Sequence, residues 1–394
     1  MKVCYVVYRE DNVFVFESQV LEYVQNLKKI YTDLEVEIIL FRHEENMFRK
    51  KNVENKILKY ADKCKTFWSL PLIFKGQLNI NALRLKKYIR KKYNQNEKVI
   101  VFGRGDLATF VSAKAFDEYK KSKVVYDNRG LPIEESKMSY HNSFIHMLNR
   151  RVKKYAILYS KSHCDMYNFV TSEMRNFLVE NYQYDKSLTY TIIPTLCREN
   201  NLDYTYLNTV KKNENITDDD FVISYIGSAA AWQSSEKVLE LISKISDRFN
   251  NAKFFILTKD EFSNLDSVPS HIRERITIKG VKHSDMKYYL AMTDVGIVLR
   301  DNNIVNRVAA PTKIAEYLVN GLSILYSGEI GILEDVKNIV QDNYIIDIEK
   351  NVEWLEMLDE LSKRKTKKIS EEVINYFDMS ARQKEIMNKI LNEM

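Results

Sequence analysis

Short apolar runs alternate with helical patterns along the first half of the chain. The runs predict buried β-strands because they are short, rich in β-branched and aromatic residues, and closed by polar residues. These strands are expected at 2–8, 35–40, 98–103, 123–127 and 191–193. Apolar residues at helical spacing predict a helix over 20–30, and a basic helix is expected over 81–95. The alternation predicts a parallel sheet with helices on both faces.

The same alternation restarts after a polar stretch at 196–219 that reads as a linker. Strands are expected at 220–227, 253–258, 276–278, 295–299 and 323–326, and helices at 238–245, 286–292 and 312–318. The fold class is therefore α/β, with two Rossmann-like doubly wound domains facing each other across a cleft. The expected boundaries are 1–195 for the first domain and 196–370 for the second. A last helix at 371–394 is expected to pack back on the first domain.

Composition narrows the class of protein. The 394 residues contain only 10 Gly and 5 Pro, with 45% hydrophobic and 29% charged residues, which excludes fibrous and long disordered chains. Four scattered Cys and six scattered His form no spaced cluster, so neither a disulfide framework nor a metal site is expected. No apolar run is long enough to cross a bilayer, and a cytoplasmic location is the expectation.

The charge is distributed unevenly. The net charge is +6, but residues 1–195 carry 34 Lys and Arg against 22 Asp and Glu, a net +12, which leaves −6 for residues 196–394. Basic clusters lie at 49–75, 84–93 and 150–154. A positively charged domain of this kind is suited to binding either the anionic inner leaflet of a membrane or a nucleic acid. Since no nucleic-acid-binding motif is present, the membrane is the preferred partner.

The few glycines fall where ligands bind in this class of fold. Gly follows or ends predicted strands at 103, 105, 130, 227, 280, 328 and 331. Ligands of open α/β sheets bind at the carboxyl ends of the strands. The positions therefore predict a ligand site there, although turns after strands also favour Gly for their own geometry.

One segment carries a family resemblance. PTKIAEYLVNGLSIL, residues 311–325, resembles the donor-binding segment of retaining family-four glycosyltransferases, which have the GT-B fold. The matching positions are Glu316, the pair after it, and Gly321. The strand at 295–299 and the loop after Tyr225 also resemble this family. Residues 124–130, followed by Glu134 or Glu135, resemble a D-x-R-G…E segment of members that assemble polysaccharides, including capsule and O-antigen.

The resemblance implies a donor site in the second domain. Glu316 would bind the ribose hydroxyls of a nucleotide sugar. The diphosphate would lie at the start of the helix after Pro311 and Thr312, near Gly227 and Ser228. Arg300 and Lys313 would stabilise the charge of the leaving diphosphate, with Arg307 as a further donor contact. Val308 stands where many members have a first Glu eight residues before Glu316.

The resemblance also implies an acceptor side in the first domain. Asp127 would orient an acceptor hydroxyl or act as a base, although a capping Asp paired with Arg129 is an equal alternative. Arg104, Arg129 and Glu135 complete the acceptor side. No metal and no cofactor are expected, since the nucleotide sugar, UDP- or GDP-linked, is the substrate.

These implications lead to one expected function and two alternatives. The expectation is a glycosyltransferase of the hexosyltransferase class, retaining, peripheral on the inner membrane face. It would transfer a sugar to a glycan or polyprenyl-linked acceptor in bacterial surface polysaccharide synthesis. The alternatives are a nucleotide-sugar epimerase of the same fold and a non-catalytic protein that binds membrane or nucleic acid.

Overall fold

Two parallel sheets organise the chain. The computed structural model describes residues 1–10, 13–43, 47–69, 74–139, 144–197, 202–227, 235–260, 262, 265–340, 344–363 and 370–394. These residues divide into two compact units. Met1–Pro194 and Met379–Met394 form the N-terminal unit, and Thr195–Asp378 forms the C-terminal unit.

The N-terminal unit contains a seven-stranded sheet in the order β3-β2-β1-β4-β5-β6-β7. All neighbouring strands are parallel. The central strands are buried on both faces, which explains their continuous apolar runs. The strands are β1 (Lys2–Tyr8), β2 (Glu35–Arg42), β3 (Lys63–Trp68), β4 (Val99–Arg104), β5 (Lys123–Asp127), β6 (Met166–Phe169) and β7 (Tyr190–Ile192).

One helix of this unit is buried nearly all round. Helix α5 lies against both α4 and α7, and most of its residues are buried. A helix that is apolar on every side belongs in the interior. The helices are α1 (Val13–Phe16), α2 (Glu22–Ile30), α3 (Met47–Ile57), α4 (Lys75–Lys92), α5 (Gly105–Phe116), α6 (Pro132–Ser139), α7 (Phe144–His163) and α8 (Ser172–Tyr182), with a π-helical turn at Glu17–Leu21.

The C-terminal unit contains a six-stranded parallel sheet in the order β10-β9-β8-β11-β12-β13. Its strands are β8 (Phe221–Ile226), β9 (Ala252–Leu257), β10 (Ile276–Lys279), β11 (Val295–Leu299), β12 (Ser323–Ser327) and β13 (Ile345–Asp347). Its helices are α9 (Tyr204–Asn213), α10 (Ser235–Arg248), α11 (Ser270–Arg273), α12 (His283–Met292), α13 (Ile304–Arg307), α14 (Thr312–Val319), α15 (Gly331–Val336), α16 (Trp354–Ser362) and α17 (Glu371–Phe377), with a 3₁₀ turn at Leu265–Ser267.

Two segments differ from the sequence prediction. The stretch 196–219 is not only a linker, because it contains α9, whose Leu207 and Val210 are buried against the C-terminal unit. The last segment is two helices rather than one. Helix α17 belongs to the C-terminal unit, whereas α18 (Met379–Asn392) belongs to the N-terminal unit and packs on α2.

The α/β fold class is confirmed. Each sheet reverses its strand order once, between β1 and β4 and between β8 and β11. A reversal of this kind leaves a crevice at the carboxyl ends of the two strands, where ligands of doubly wound sheets bind. The fold therefore directs attention to these two places.

Candidate functional site

The reversal in the C-terminal unit opens a crevice between β8 and β11. The ladder between the two strands ends at the pair Tyr225 and Ile297. Beyond it, β8 continues along β9 to Ile226, and β11 continues along β12 to Leu299. The last residues of β8 and β11 therefore diverge from each other, which leaves room for a ligand at their carboxyl ends.

Helix α14 is fixed beside this crevice by its Tyr317. A Cβ atom at Gly296 of β11 would lie 2.3 Å from the Tyr317 ring, so only glycine leaves space for the ring there. The buried Tyr317 hydroxyl accepts a hydrogen bond from the Ile226 N–H at 3.2 Å. The ring thus passes over β11 and ties α14 to the end of β8.

The backbone just after the carboxyl end of α14 requires a glycine, Gly321. Gly321 has a φ of +71°, which L-residues with a side chain rarely adopt. Its N–H donates to the Leu318 carbonyl, and the Leu322 N–H donates to the Tyr317 carbonyl, each at 3.0 Å. This is a Schellman helix end. The glycine of the motif therefore ends α14 rather than contacting a ligand.

Lys313 lies in the first turn of α14, after Pro311 at the N-cap and Thr312 as the first helical residue. Its Nζ is 5.1 Å from the centre of the Tyr225 ring, at the end of β8. Burial, assisted by the charge of Arg300 and opposed by Glu316, lowers the pKa of Lys313 from 10.5 to about 7. The protein around Lys313 therefore disfavours its charged form on balance.

Arg300 follows β11 directly and lies close to Lys313. Its Nε is buried and makes no hydrogen bond with the described residues. The Arg300 N–H donates to the Ser327 carbonyl at 3.2 Å. At Gly328, which has a φ of +81°, a Cβ atom would lie 2.3 Å from the Arg300 carbonyl oxygen. These contacts with β12 and the residue after it hold the Arg300 backbone in place.

Arg300 and Lys313 together have the charge and burial that would suit a bound anion. Neither forms an ion pair with a carboxylate within the described ranges, and each is half-buried. The first N–H groups of a helix and the helix dipole also favour negative charge. A phosphate or diphosphate beside α14 would supply the charge that both side chains lack. Glu316, one turn further along α14, faces the same region closely enough to influence the pKa of Lys313.

The other predicted donor contacts are placed differently. The Gly227 N–H donates to the Leu257 carbonyl at 3.2 Å, so it is committed to the sheet. Ser228 lies outside the described residues. Arg307 ends α13 on the exposed surface, where its Nη1 is 3.8 Å from Glu329.

Asp127 is the centre of a buried network in the N-terminal unit, at the carboxyl end of β5. One carboxylate oxygen accepts a hydrogen bond from the Tyr5 hydroxyl at 2.8 Å, and the other accepts one from Asn168 at 2.9 Å. Burial alone would raise the pKa of Asp127, but the guanidinium groups of Arg129 and Arg104 outweigh it and hold the pKa below its usual value. The carboxylate is thus ionised, and each of its oxygens already accepts a hydrogen bond.

Arg129 and Arg104 approach Asp127 from two sides. Arg129 Nε lies 2.8 Å from one carboxylate oxygen, and Arg104 Nη1 lies 3.9 Å from the other. Arg104 also donates to Gln19 at 2.6 Å. Glu135 is separate from this network, because its carboxylate accepts the Leu131 N–H at 3.0 Å. The structure therefore brings Asp127, Arg129 and Arg104 together and leaves Glu135 apart.

Three residues important for this geometry were not predicted as site residues. They are Tyr225, Gly296 and Tyr317. A lone glycine inside a strand is a known sign of a close approach by another group, so Gly296 carried a usable signal. Tyr317 stands in the pair after Glu316 that carries the family resemblance, but nothing in the sequence distinguished either tyrosine from the aromatic residues that usually fill a core.

The described residues contain neither a membrane-spanning helix nor a metal-binding cluster. No helix among the described residues is both long and apolar enough to span a membrane. Within the same ranges, no three His, Cys, Asp or Glu side chains are grouped so that they could hold a metal ion.

Comparison with solved structures identifies the fold. A glycosyltransferase from Rickettsia africae superposes with a TM-score of 0.63 at 16% identity, covering 98% of this chain and 97% of that chain. HepE from Anabaena, solved in complex with UDP, has a TM-score of 0.68 at 13% identity and full coverage of both chains. Sucrose-phosphate synthase from Thermosynechococcus elongatus gives 0.63 at 10% identity, again with full coverage. The chain has the GT-B fold. No family model and no curated protein sequence matches it.

Proposed function

We propose that the chain is a glycosyltransferase that uses a nucleotide-sugar donor. The observation that carries the proposal is the pair Arg300 and Lys313, two half-buried basic side chains beside the crevice of the C-terminal unit that form no ion pair with a carboxylate among the described residues. The GT-B fold supports it, because HepE from Anabaena, which has this fold, was solved with UDP and with UDP-glucose.

The donor would be held by its diphosphate. Arg300, Lys313 and the first turn of α14 would bind the phosphate oxygens, and binding would restore the charge of Lys313. The same cations would then stabilise the diphosphate as it leaves the sugar, which is the main contribution that fixed charges make to such a reaction. A carboxylate can accept two hydroxyl hydrogen bonds, so Glu316 suits the ribose.

The finer parts of the proposal rest on the family resemblance. They are transfer of a hexose with retention from a UDP- or GDP-linked donor, a glycan or polyprenyl-linked acceptor, and a role in surface polysaccharide synthesis. A lipid-linked acceptor would bring a cytoplasmic enzyme to the inner membrane face. Val308, in place of a first glutamate, leaves the sugar contact to other groups. Arg104 and Arg129 are the acceptor contacts that we favour.

The first experiment measures donor binding by thermal shift with UDP, GDP, CMP and dTDP and their sugars. A ligand that binds only the native state at 100 times its Kd stabilises it by about 2.7 kcal/mol. We expect one nucleotide class to raise the melting temperature, and the Lys313→Met and Glu316→Ala variants to lose that shift. Lys237→Met is the matched control, because Lys237 is exposed and already paired with Asp301 at 2.8 Å.

An unchanged shift in Lys313→Met would contradict the proposed donor site. Product analysis then separates transfer from epimerisation. Donor supplied without acceptor should stay a single sugar nucleotide, apart from slow hydrolysis. Conversion into an epimer would assign the same site to an epimerase instead.

A further inference from the structure

A cavity of about 210 Å³ lies between helices α10 and α16 of the C-terminal unit, and we call it the α10–α16 cavity. Its lining includes Leu241 of α10, Leu299 at the end of β11, and Trp354, the first residue of α16. The two leucines are buried, whereas Trp354 is only half-buried. The cavity therefore combines an apolar base with an accessible part of an indole ring.

The α10–α16 cavity is separate from the donor crevice. The described residues that line it do not include Arg300, Lys313 or Glu316. Successive residues of a strand point to opposite faces of its sheet. Leu299 belongs to the core that α10 and α16 cover, whereas Val298 belongs to the core that α14 covers. A ligand in the cavity would therefore lie on the other face of the sheet from α14.

Acidic and basic side chains line the exposed edge of the cavity. Glu240 and Lys244 are one turn apart on α10, a spacing that allows an ion pair, yet neither forms one with the described residues. Glu349, just after β13, accepts the Gly328 N–H through one carboxylate oxygen at 3.3 Å. Its other oxygen accepts no hydrogen bond within the described ranges. The edge thus offers both hydrogen-bond acceptors and a donor to a ligand.

The size of the cavity limits the ligand to about one ring. Pockets for drug-sized ligands measure about 300–1,000 Å³. At 210 Å³, the α10–α16 cavity is too small for a nucleotide. This excludes a second copy of the proposed donor as the occupant.

We propose that the α10–α16 cavity binds a single uncharged sugar ring. One face of a pyranose carries C–H groups that pack on an indole, and its edge carries hydroxyl groups. Those hydroxyls can donate to Glu240 and Glu349 and accept from Lys244. A ligand with a net charge would be attracted by one sign of these side chains and repelled by the other. The inference does not require the chain to bind a nucleotide.

Saturation-transfer NMR on the full chain tests this. The probes are glucose, galactose, mannose and N-acetylglucosamine, with glucuronate, glucosamine and the nucleosides uridine and guanosine for comparison. At least one uncharged sugar should bind with a Kd of about 2 mM, which corresponds to the 12 non-hydrogen atoms of a hexose at an ordinary ligand efficiency. No signal from any uncharged sugar would overturn the proposal, as would stronger binding of a charged sugar or a nucleoside.

Two substitutions place the sugar in the cavity. Trp354→Leu keeps an apolar side chain against the core but removes the indole, and Glu240→Ala removes an exposed carboxylate. Each should raise the sugar Kd about tenfold. The matched controls are Trp68→Leu on β3 and Glu356→Ala on the exposed side of α16, which should bind like the wild type.

Thermal melts without sugar show whether each variant is folded. If Trp354→Leu does not fold, Glu240→Ala decides alone, since its side chain is exposed. Unchanged affinity in the folded test variants, or equal losses in tests and controls, would overturn the proposal.

Nucleotide binding keeps the two proposals apart. Lys313→Met should lose the nucleotide thermal shift but keep the sugar signal, and UDP or GDP should not displace the sugar. Loss of the signal in Lys313→Met, or displacement by either nucleotide, would place the sugar in the donor crevice and overturn the inference. If the wild type shows no nucleotide shift but binds a sugar that Trp354→Leu weakens, the proposed function fails and the α10–α16 site stands.

Discussion

Replacing Lys313 with methionine should stabilise the protein while removing donor binding. The lysine lies in the first turn of α14, with its Nζ over the Tyr225 ring and no carboxylate partner among the described residues. Methionine has a similar length and no charge to bury. The substitution therefore separates the cost of holding a cation there from the benefit it brings when an anion is present.

The size of the stabilisation expected in Lys313→Met follows from the pKa of Lys313. A fall from 10.5 to about 7 corresponds to about 5 kcal/mol of unfavourable free energy for the charged form. Lys313 is half-buried, so water and relaxation recover part of this, and we expect about 1–3 kcal/mol of stabilisation in Lys313→Met. For a unit the size of Thr195–Asp378, each kcal/mol of stabilisation raises the melting temperature by about 2–4 °C.

The pH dependence gives a sharper test of the same reasoning. Because the folded pKa of Lys313 lies below the unfolded value, the folded state binds fewer protons between pH 7 and 10.5. Wild-type stability should therefore gain on the variant as pH rises through that window, and the difference should be largest below pH 7. Thermal melts across this range measure it. A variant that melts below the wild type at pH 6, or a constant difference up to pH 10, would refute the argument.

Four further substitutions test contacts within the described residues. Gly296→Ala should destabilise the protein by about 1–3 kcal/mol through overpacking against Tyr317. Tyr317→Phe should cost about 1 kcal/mol, because the part-buried Ile226 N–H loses its hydrogen bond. Urea unfolding measures both. Asp127→Asn should cost about 3–5 kcal/mol, because it leaves Arg129 without its carboxylate and Arg104 with only Glu10 among the described residues, 3.5 Å from its Nε. Because the pKa of Asp127 is lowered in the folded state, the variant should lose less stability than the wild type as the pH falls. Asp106 is buried with its pKa raised to about 7 by burial, so Asp106→Asn should raise the melting temperature at pH 8 and change it little at pH 4.

The strands that the sequence predicted best are those buried on both faces. Residues 2–8, 123–127 and 295–299 occur with the expected bounds, since a central parallel strand is apolar throughout and stops at polar residues. The strands that were missed are short or lie near sheet edges. Residues 63–68 form the edge strand β3, which begins with alternating lysines, and β13 is only three residues long, at 345–347.

The helix in the predicted linker was missed for a related reason. Polar residues dominate 196–219, and only Leu207 and Val210 mark the buried side of α9. Such a pattern becomes informative only when the surface that covers it is known. The break between α17 and α18 is similar, because Asp378 leaves helical geometry where it forms a bridge with Cys197, far away in sequence.

Residue types and spacing could identify Arg300, Lys313 and Glu316 as candidate site residues. They could not predict whether these side chains have counter-ions. Whether a lysine on a helix has a counter-ion depends on side chains from other elements. The sequence left Asp127 open between a base and a partner of Arg129. Only the hydrogen bonds from Tyr5 and Asn168 show that both carboxylate oxygens are occupied.

The basic residues at the two strand-order reversals therefore differ in whether a carboxylate already pairs with them. In the C-terminal unit, Arg300 and Lys313 have no carboxylate within the described ranges, so an anion gains their full attraction. In the N-terminal unit, Arg104 and Arg129 already share the ionised Asp127, and an entering phosphate would have to compete with it. Arg104 Nη1 still makes no hydrogen bond with the described residues and can donate to a neutral oxygen. We therefore expect the phosphates of the donor at the C-terminal crevice and hydroxyl groups of the acceptor at the N-terminal one.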